Sequence, residues 1–191
     1  MNNMVITVSD SAGIKCQAGE FSLLVDPPTK RKGNLVLQTQ TEFPVDSFSS
    51  PEVIFGPGEY EIAGVRVHGL GLPNESSVKG MKTIYAVLID GLSLAFLIGI
   101  SSELPENMLD ELGEVDILFF SPDAKTLKGK QAVSLIKQVE PSIVIPADDK
   151  AAKFLIEEMG QKVKAEEKLT IKKKDLIKDG ATSKLVWLKT A

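Results

Sequence analysis

The sequence contains a single histidine, His68, at the end of a run of glycines and short apolar stretches, FGPGEYEIAGVRVHGLG (55–71). Histidine is the usual general base and a common metal ligand near neutral pH, so this segment is the first candidate for an active site. A histidine-rich dinuclear metal site needs several imidazoles, which one chain with one histidine cannot supply. We therefore expect His68 to lie at a strand end, exposed or hydrogen-bonded to the backbone.

Cys16 is the only cysteine of the chain and a candidate nucleophile. A nucleophilic cysteine needs a base within hydrogen-bond reach, and nothing in the sequence brings His68 to it. We expect a small apolar strand residue instead. A lone cysteine forms no internal disulfide, which favours a reducing, intracellular setting.

Two further motifs have ordinary structural interpretations. The glycines of GPGEYEIAG (56–64) precede strand-like sequence rather than a helix, so they predict turns and not a phosphate-binding loop. The cluster Lys172, Lys173 and Lys174 has acidic neighbours at Glu166, Glu167 and Asp175, which predicts a solvated strand and turn. The net charge of −4 also disfavours a nucleic-acid partner, since binding to phosphates usually requires a basic excess.

Short strands separated by glycine and proline are predicted for the first half of the chain. They include a pair at 83–89 and 92–98 that is joined by the hairpin signal Asp90-Gly91. The second half alternates apolar runs with helical periodicities, the first of them formed by Leu104, Met108, Leu109 and Leu112.

A second helical pattern follows, with Val133, Ile136 and Val139 on its apolar face. The last helix can begin at Asp148 or Asp149, because aspartate is a good N-terminal cap. We interpret residues 1–191 as one α/β domain whose helices cover sheet faces.

Nothing in the sequence predicts export or a membrane span. The first residues, MNNMVITVSDSAG, lack the pattern of a secretory signal. The most apolar run, GLSLAFLIGI (91–100), is too short to cross a bilayer as a helix. We expect a cytoplasmic protein.

Three stretches together resemble the metallo-β-lactamase superfamily, and within it the small branch related to ascorbate-6-phosphate lactonases and other Zn-dependent hydrolases. They are LLVDPP (23–28), FGPGEYEIAGV (55–65) and the long segment TIYAVLIDGLSLAFLIGISSELPENMLDELGEVDIL (83–118). LIKQVEPSIVIP (135–146) continues the similarity. The resemblance implies a four-layer αβ/βα sandwich, in which two mixed β-sheets lie face to face with helices outside.

The resemblance also implies where the family's zinc ligands stand, and this sequence departs from each of them. Gln40 and Glu42 occupy the first two histidine positions of the H-x-H-x-D-H motif, Pro44 the aspartate and Val45 the last histidine. Of the remaining family ligands, the histidine of a middle loop falls near Asn74, the metal-bridging aspartate on Gly99 and the last histidine on Asp148; Asp26 is a possible relic of the family's supporting shell or an ordinary turn residue.

These departures predict a non-catalytic member of the family that has no zinc and no other cofactor. Its apolar loop residues Phe43, Pro44, Val45 and Phe48 suggest a surface for a second copy or another protein. One alternative is a metal-dependent hydrolase with a carboxylate-rich site, to which Glu42 and Asp148 would contribute. Another is a nucleic-acid-associated factor.

Overall fold

The computed structural model describes residues 2–9, 13–28, 33–45, 52–176 and 182–190. The strands of this part of the chain are β1 (Met4–Val8), β2 (Ile14–Ala18), β3 (Phe21–Val25), β4 (Leu35–Gln38), β5 (Gln40–Glu42), β6 (Val53–Phe55), β7 (Gly58–Ile62), β8 (Val65–Gly71), β9 (Gly80–Ile89), β10 (Leu92–Ile100), β11 (Ile117–Pro122), β12 (Ile143–Pro146), β13 (Leu169–Ile171) and β14 (Lys184–Leu185). The α-helices are α1 (Glu106–Leu112), α2 (Gly129–Val139) and α3 (Asp149–Met159).

The strands form two mixed sheets. The smaller sheet has the order β13-β1-β2-β3-β4-β6, with antiparallel pairs up to β3 and parallel pairs beyond it. The larger sheet has the order β14-β12-β11-β10-β9-β8-β7, and β5 pairs with β9 beside this path. Strands β10, β11, β12 and β14 run parallel, while β7 to β10 form an antiparallel meander. The predicted α/β sandwich of two mixed sheets is confirmed.

Two hydrophobic cores hold these layers together. The first lies between the sheets and contains Leu23 and Leu37 from the smaller sheet and Phe96 and Phe119 from the larger one. The second lies on the outer face of the larger sheet, where α1, α2 and α3 pack. Strand β11 supplies both cores in alternation, as its nearly all-apolar sequence predicts for a strand covered on both faces.

Local sequence signals account for several element ends. Asp90 and Gly91 both have positive φ, at 48° and 79°, as a two-residue hairpin turn between β9 and β10 requires. Asp148 caps α3 by accepting a hydrogen bond from the backbone N–H of Ala151 at 2.7 Å, which confirms the predicted cap. Gly113 ends α1 with φ 65°.

The buried face of α2 differs from the predicted one. Its buried residues are Ala132, Leu135 and Ile136, while Val133 is only half-buried. Of the predicted residues, Ile136 is buried and Val139 packs half-buried against the core, while the fully buried Ala132 and Leu135 complete the buried face.

The two late strands close the sheets, since β13 is an edge strand of the smaller sheet and β14 an edge strand of the larger one. No helix in the described ranges is long and apolar enough to cross a membrane. The interpretation of residues 1–191 as one domain stays a prediction.

The stacked pair Phe96 and Phe119 offers a test of the core between the sheets. Their rings lie 4.6 Å apart between centroids and are fully buried. We expect Phe96→Ala to lower the free energy of unfolding by about 3–5 kcal/mol, because it removes a large buried side chain. Val78→Ala, at a side chain that is 94% exposed, should change it by less than about 0.5 kcal/mol. Urea unfolding of both variants measures the difference, and similar losses would contradict this core assignment.

Candidate functional site

The candidate site lies where carboxyl ends of strands from both sheets come together. In the larger sheet, Gly99 is near the end of β10, Ser121 is in the last residues of β11, and Asp148 lies two residues after the end of β12. These three strands are parallel neighbours, so their ends share one edge. In the smaller sheet, Asp26 follows β3 and Thr39 follows its parallel neighbour β4.

The chain crosses from one sheet to the other at this edge. After β4 it leaves the smaller sheet and pairs as β5 with the start of β9 in the larger sheet. Gln40 stands opposite Lys82, and Glu42 stands opposite Gly80. Side chains of directly opposite residues project from the same face of a sheet, so Gln40 and Lys82 are neighbours.

Asp26 is held at the edge by Thr39. Its Oδ1 accepts a hydrogen bond from the backbone N–H of Thr39 at 2.8 Å, and its Oδ2 accepts one from the Thr39 hydroxyl. The backbone of Asp26 has φ 45°, in the left-handed region that aspartate tolerates in turns. Burial raises the pKa of Asp26, although the Thr39 hydrogen bonds and the charge of Lys82 oppose the shift.

Lys82 is the cation of the site. Its side chain comes from β9, and the residue is only 8% exposed. Burial lowers the pKa of Lys82, while the negative charges of Asp26 and Glu75 act in the opposite direction. Over the described ranges, the ammonium makes no hydrogen bond and no ion pair within 4.0 Å. Lys82 thus has a largely buried side chain whose nitrogen lies near two carboxylates and remains accessible to solvent.

Gly99 leaves open the space next to this ammonium. It has φ 63° and is solvent-exposed, at the point where the β10–β11 register shifts between Ile98 and Ile100. A Cβ atom at position 99 would lie 3.0 Å from Lys82 Nζ, closer than ordinary van der Waals contact. The ammonium therefore stands where any side chain at position 99 would begin.

The other carboxylates of this edge are engaged by the chain itself. Asp148 accepts the N-cap hydrogen bond from Ala151 through Oδ1 and one from the Ser121 hydroxyl through Oδ2 at 3.2 Å. Glu75 Oε1 accepts from the backbone N–H of Ser101 at 2.8 Å and from the Ser102 hydroxyl at 3.2 Å. Each carboxylate thus already has its own donors.

The sequence-predicted positions are only partly brought together. Asp26, Gln40 and Gly99 lie around Lys82, as the pairings above place them. Asn74 is exposed in the 3₁₀ turn Pro73–Glu75, and the side chain that interacts with Lys82 is that of Glu75, one residue further on. Glu42 is an exposed residue of β5.

Lys82, Glu75 and Thr39 were missed at the sequence level. One signal was available for Lys82. The even-numbered residues that follow it in β9, such as Ile84 and Ala86, lie on an apolar face of the strand. A lysine on the same face is unusual, because lysines are rarely buried unless they are paired or functional.

An apolar segment follows β5. Phe43 is 43% exposed, Pro44 is exposed and Val45 is half-buried, while Phe48 lies outside the described residues. Apolar residues are thus exposed in the first part of this segment, and their role as a contact surface stays a prediction.

His68 lies inside a strand rather than at a strand end, because β8 continues to Gly71. It is half-buried on the outer face of the larger sheet, with Nε2 3.9 Å from Glu111 Oε2 of α1, beside a groove of about 680 Å³. Its strand partner Ala86 lies four residues along β9 from Lys82, about 13 Å away. His68 is therefore not part of the candidate site.

The remaining singled-out residues have structural roles. Cys16 is fully buried in β2, as expected for an apolar strand residue, and burial raises the pKa of its thiol. Among the clustered lysines, Lys173 is not simply solvated, since its ammonium donates to the buried carboxylate of Asp116. This correction follows from the 3₁₀ turn Lys173–Asp175, which brings that lysine against Asp116.

The donor set does not fit the zinc that the resemblance implies. Across the described ranges, no group of three or more His, Cys, Asp or Glu side chains is placed to hold a metal ion. Zinc sites use three or four such ligands, and the carboxylates here are occupied by hydroxyl and backbone donors or stand beside an ammonium.

The pH dependence of stability tests the environment of Asp26. Burial raises its pKa in the folded chain, so the folded state binds this proton more tightly than the unfolded state. The free energy of unfolding relative to Asp26→Asn should therefore be highest below about pH 4 and fall as pH rises through the folded pKa. Urea unfolding of both proteins across this range measures it.

Thr39→Val sharpens this test, because it removes the hydroxyl that opposes the shift. In that variant the free energy of unfolding that depends on Asp26 should continue to fall up to a higher pH. A wild-type protein that gains stability over Asp26→Asn as pH rises would contradict the account.

Solved structures show the same fold. A metallo-β-lactamase superfamily protein from Thermotoga maritima superimposes with a TM-score of 0.72 at 15% identity, covering 98% of this chain and 100% of that one. Igni18, a metallo hydrolase from Ignicoccus hospitalis, gives 0.61 at 14% identity, covering 90% and 99%. The metallo-β-lactamase fold protein YhfI from Bacillus subtilis gives 0.60 at 10% identity, covering 100% and 98%.

Sequence comparison is consistent with these structures. No curated protein matches the sequence significantly. The family model described as the β-lactamase superfamily domain matches residues 6–148, which contain both sheets' central strands and every position of the candidate site. The chain therefore belongs to the β-lactamase superfamily.

Proposed function

We propose that this chain is a metal-independent member of its superfamily, which binds a ligand or partner and does not hydrolyse a substrate. The position of the Lys82 ammonium, 3.0 Å from where a Cβ of residue 99 would lie, is the observation that carries the proposal. By the resemblance, position 99 is where the family has its metal-bridging aspartate. Here a fixed positive charge accompanies Asp26 and Glu75, and the carboxylate of position 99 is missing.

Electrostatics supports this proposal. Two like unit charges about 4 Å apart near a protein surface repel each other by about 4 kcal/mol. A divalent cation that close to the ammonium would meet about twice that repulsion. Asp26 and Glu75 would offset part of this repulsion, but Thr39 already donates to both oxygens of Asp26, and Ser101 and Ser102 donate to Glu75 Oε1. The exposed Glu42 and the engaged Asp148 add little to this. A carboxylate-rich metal site, the main alternative, is therefore disfavoured.

The apolar segment after β5 supports a binding role rather than a catalytic one. Phe43 and Pro44 expose apolar surface next to a polar edge. Exposed large hydrophobic residues at such a place often mark an interaction site. We propose a second copy of the chain or another protein as the occupant of this surface.

Metal content tests the proposal most simply. The chain, purified without a histidine tag, is incubated with zinc and manganese, dialysed and analysed by mass spectrometry for metals. We expect far less than one metal ion per chain and no change in melting temperature on adding a chelator. Stoichiometric metal that the chelator removes, together with a lower melting temperature, would establish the metal-dependent alternative.

Self-association through the apolar segment has its own test. If a second copy covers this surface, Val45→Asp should shift the mass measured by light scattering from dimer to monomer, because it places a charge in the contact. Val78→Asp, at an exposed residue outside the segment, is the matched control and should leave the mass unchanged. An unchanged mass for Val45→Asp would exclude self-association here.

A further inference from the structure

The ammonium of Lys82 lacks the partner that other buried charges of this chain have. Lys173 donates to Asp116, and Asp116 also accepts from the backbone N–H of Ser93. Lys82 is more than nine-tenths buried, yet its three N–H groups have no acceptor within hydrogen-bond distance in the part of the chain that the structure describes. Among the described residues, the fully buried side-chain atoms without a partner are Thr41 Oγ1 and Thr83 Oγ1, so the Lys82 nitrogen itself is reached by solvent although most of its side chain is buried. A ligand that enters from solvent can therefore supply the acceptor that the protein does not.

The opening to Lys82 is at Gly99. This residue is exposed and has no side chain, and any Cβ there would meet the lysine nitrogen at 3.0 Å. A small molecule that approaches over Gly99 therefore reaches the nitrogen directly. The rest of the lysine is enclosed, so only the end of the side chain is available and the ligand must be small.

Charge restricts the ligand further. Asp26, Glu75 and Lys82 carry a net charge of −1 when all three are ionised, and Glu42 and Asp148 add negative charge to the same edge. An anionic ligand would be repelled by this surplus. An uncharged molecule with a carbonyl oxygen supplies an acceptor for the ammonium without that repulsion.

The reactivity of the amine agrees with a carbonyl ligand. Burial lowers the pKa of Lys82, which raises the fraction of neutral amine at a given pH. A desolvated lysine with a lowered pKa is the usual nucleophile for Schiff-base formation.

From this geometry we infer that Lys82 captures a small uncharged aldehyde or ketone as a reversible imine, an inference that rests on the metal-independent function proposed above. The nitrogen lone pair attacks the carbonyl carbon and forms the N–C bond. The carbonyl oxygen then leaves as water, which takes both amine hydrogens, and hydrolysis of the imine reverses the reaction. Gly99 is the residue that keeps the amine accessible.

Trapping with propanal and cyanoborohydride at pH 7, followed by peptide mass spectrometry, tests this inference. The reagent reduces the imine to a stable propyl-lysine, whose rate of formation is measured at each lysine. We expect Lys82 to react several-fold faster than the exposed Lys79 in the same protein. Lys82→Arg should abolish that fast reaction. Equal rates at Lys82 and Lys79, or a slower rate at Lys82, would overturn the inference.

Two controls separate the role of Gly99 and the charge of the ligand. Gly99→Ala should slow the reaction at Lys82 alone. Gly160→Ala, at a glycine with nearly the same φ of 64° and open space around it, should not change the rate. With the anionic aldehyde glyoxylate, Lys82 should no longer react faster than Lys79. A larger rate ratio with glyoxylate than with propanal would contradict an uncharged ligand.

The outcomes also distinguish this inference from the proposed function. A chain without metal that shows no fast reaction at Lys82 leaves the metal-independent function standing and removes the carbonyl ligand. A chain with stoichiometric metal removes both.

Discussion

The attraction between the Lys82 ammonium and the carboxylates of Asp26 and Glu75 is the interaction on which the candidate site depends. Burial lowers the pKa of Lys82 and raises that of Asp26, and the charge of each group offsets part of the shift of the other. Each charged group is therefore less costly to bury because the other lies nearby. The positive charge at this edge thus belongs to a side chain of the chain itself.

The two-sheet architecture explains how one lysine comes to lie beside groups from both sheets. Asp26 and Thr39 come from the smaller sheet, while Lys82 and Gly99 come from the larger one. Crossing from β4 to β5 joins the two, because Thr39 binds Asp26 through its hydroxyl and N–H and accepts the backbone N–H of Thr83 through its carbonyl oxygen. The site is therefore fixed by backbone pairing on both sides, and the ammonium of Lys82 faces the open space at Gly99.

Much of the fold could be predicted from local patterns, and the composition of the site only in part. The hairpin at Asp90-Gly91, the doubly covered strand β11 and the cap at Asp148 each depend on neighbours in the sequence, and all three are confirmed. Gln40 and Gly99 could be placed by resemblance alone. Glu75 and Lys82 could not, because their meeting depends on the pairing of β9 with β5 and on a turn whose exposed Asn74 matched the family pattern better.

A crystal of the untagged chain, soaked in zinc and measured at the zinc absorption edge, tests the central claim most directly. We expect density for the Lys82 nitrogen beside Gly99 and no anomalous peak among Asp26, Glu75 and Lys82. An anomalous peak at that edge of the sheets, with the lysine displaced and carboxylates as ligands, would contradict the account.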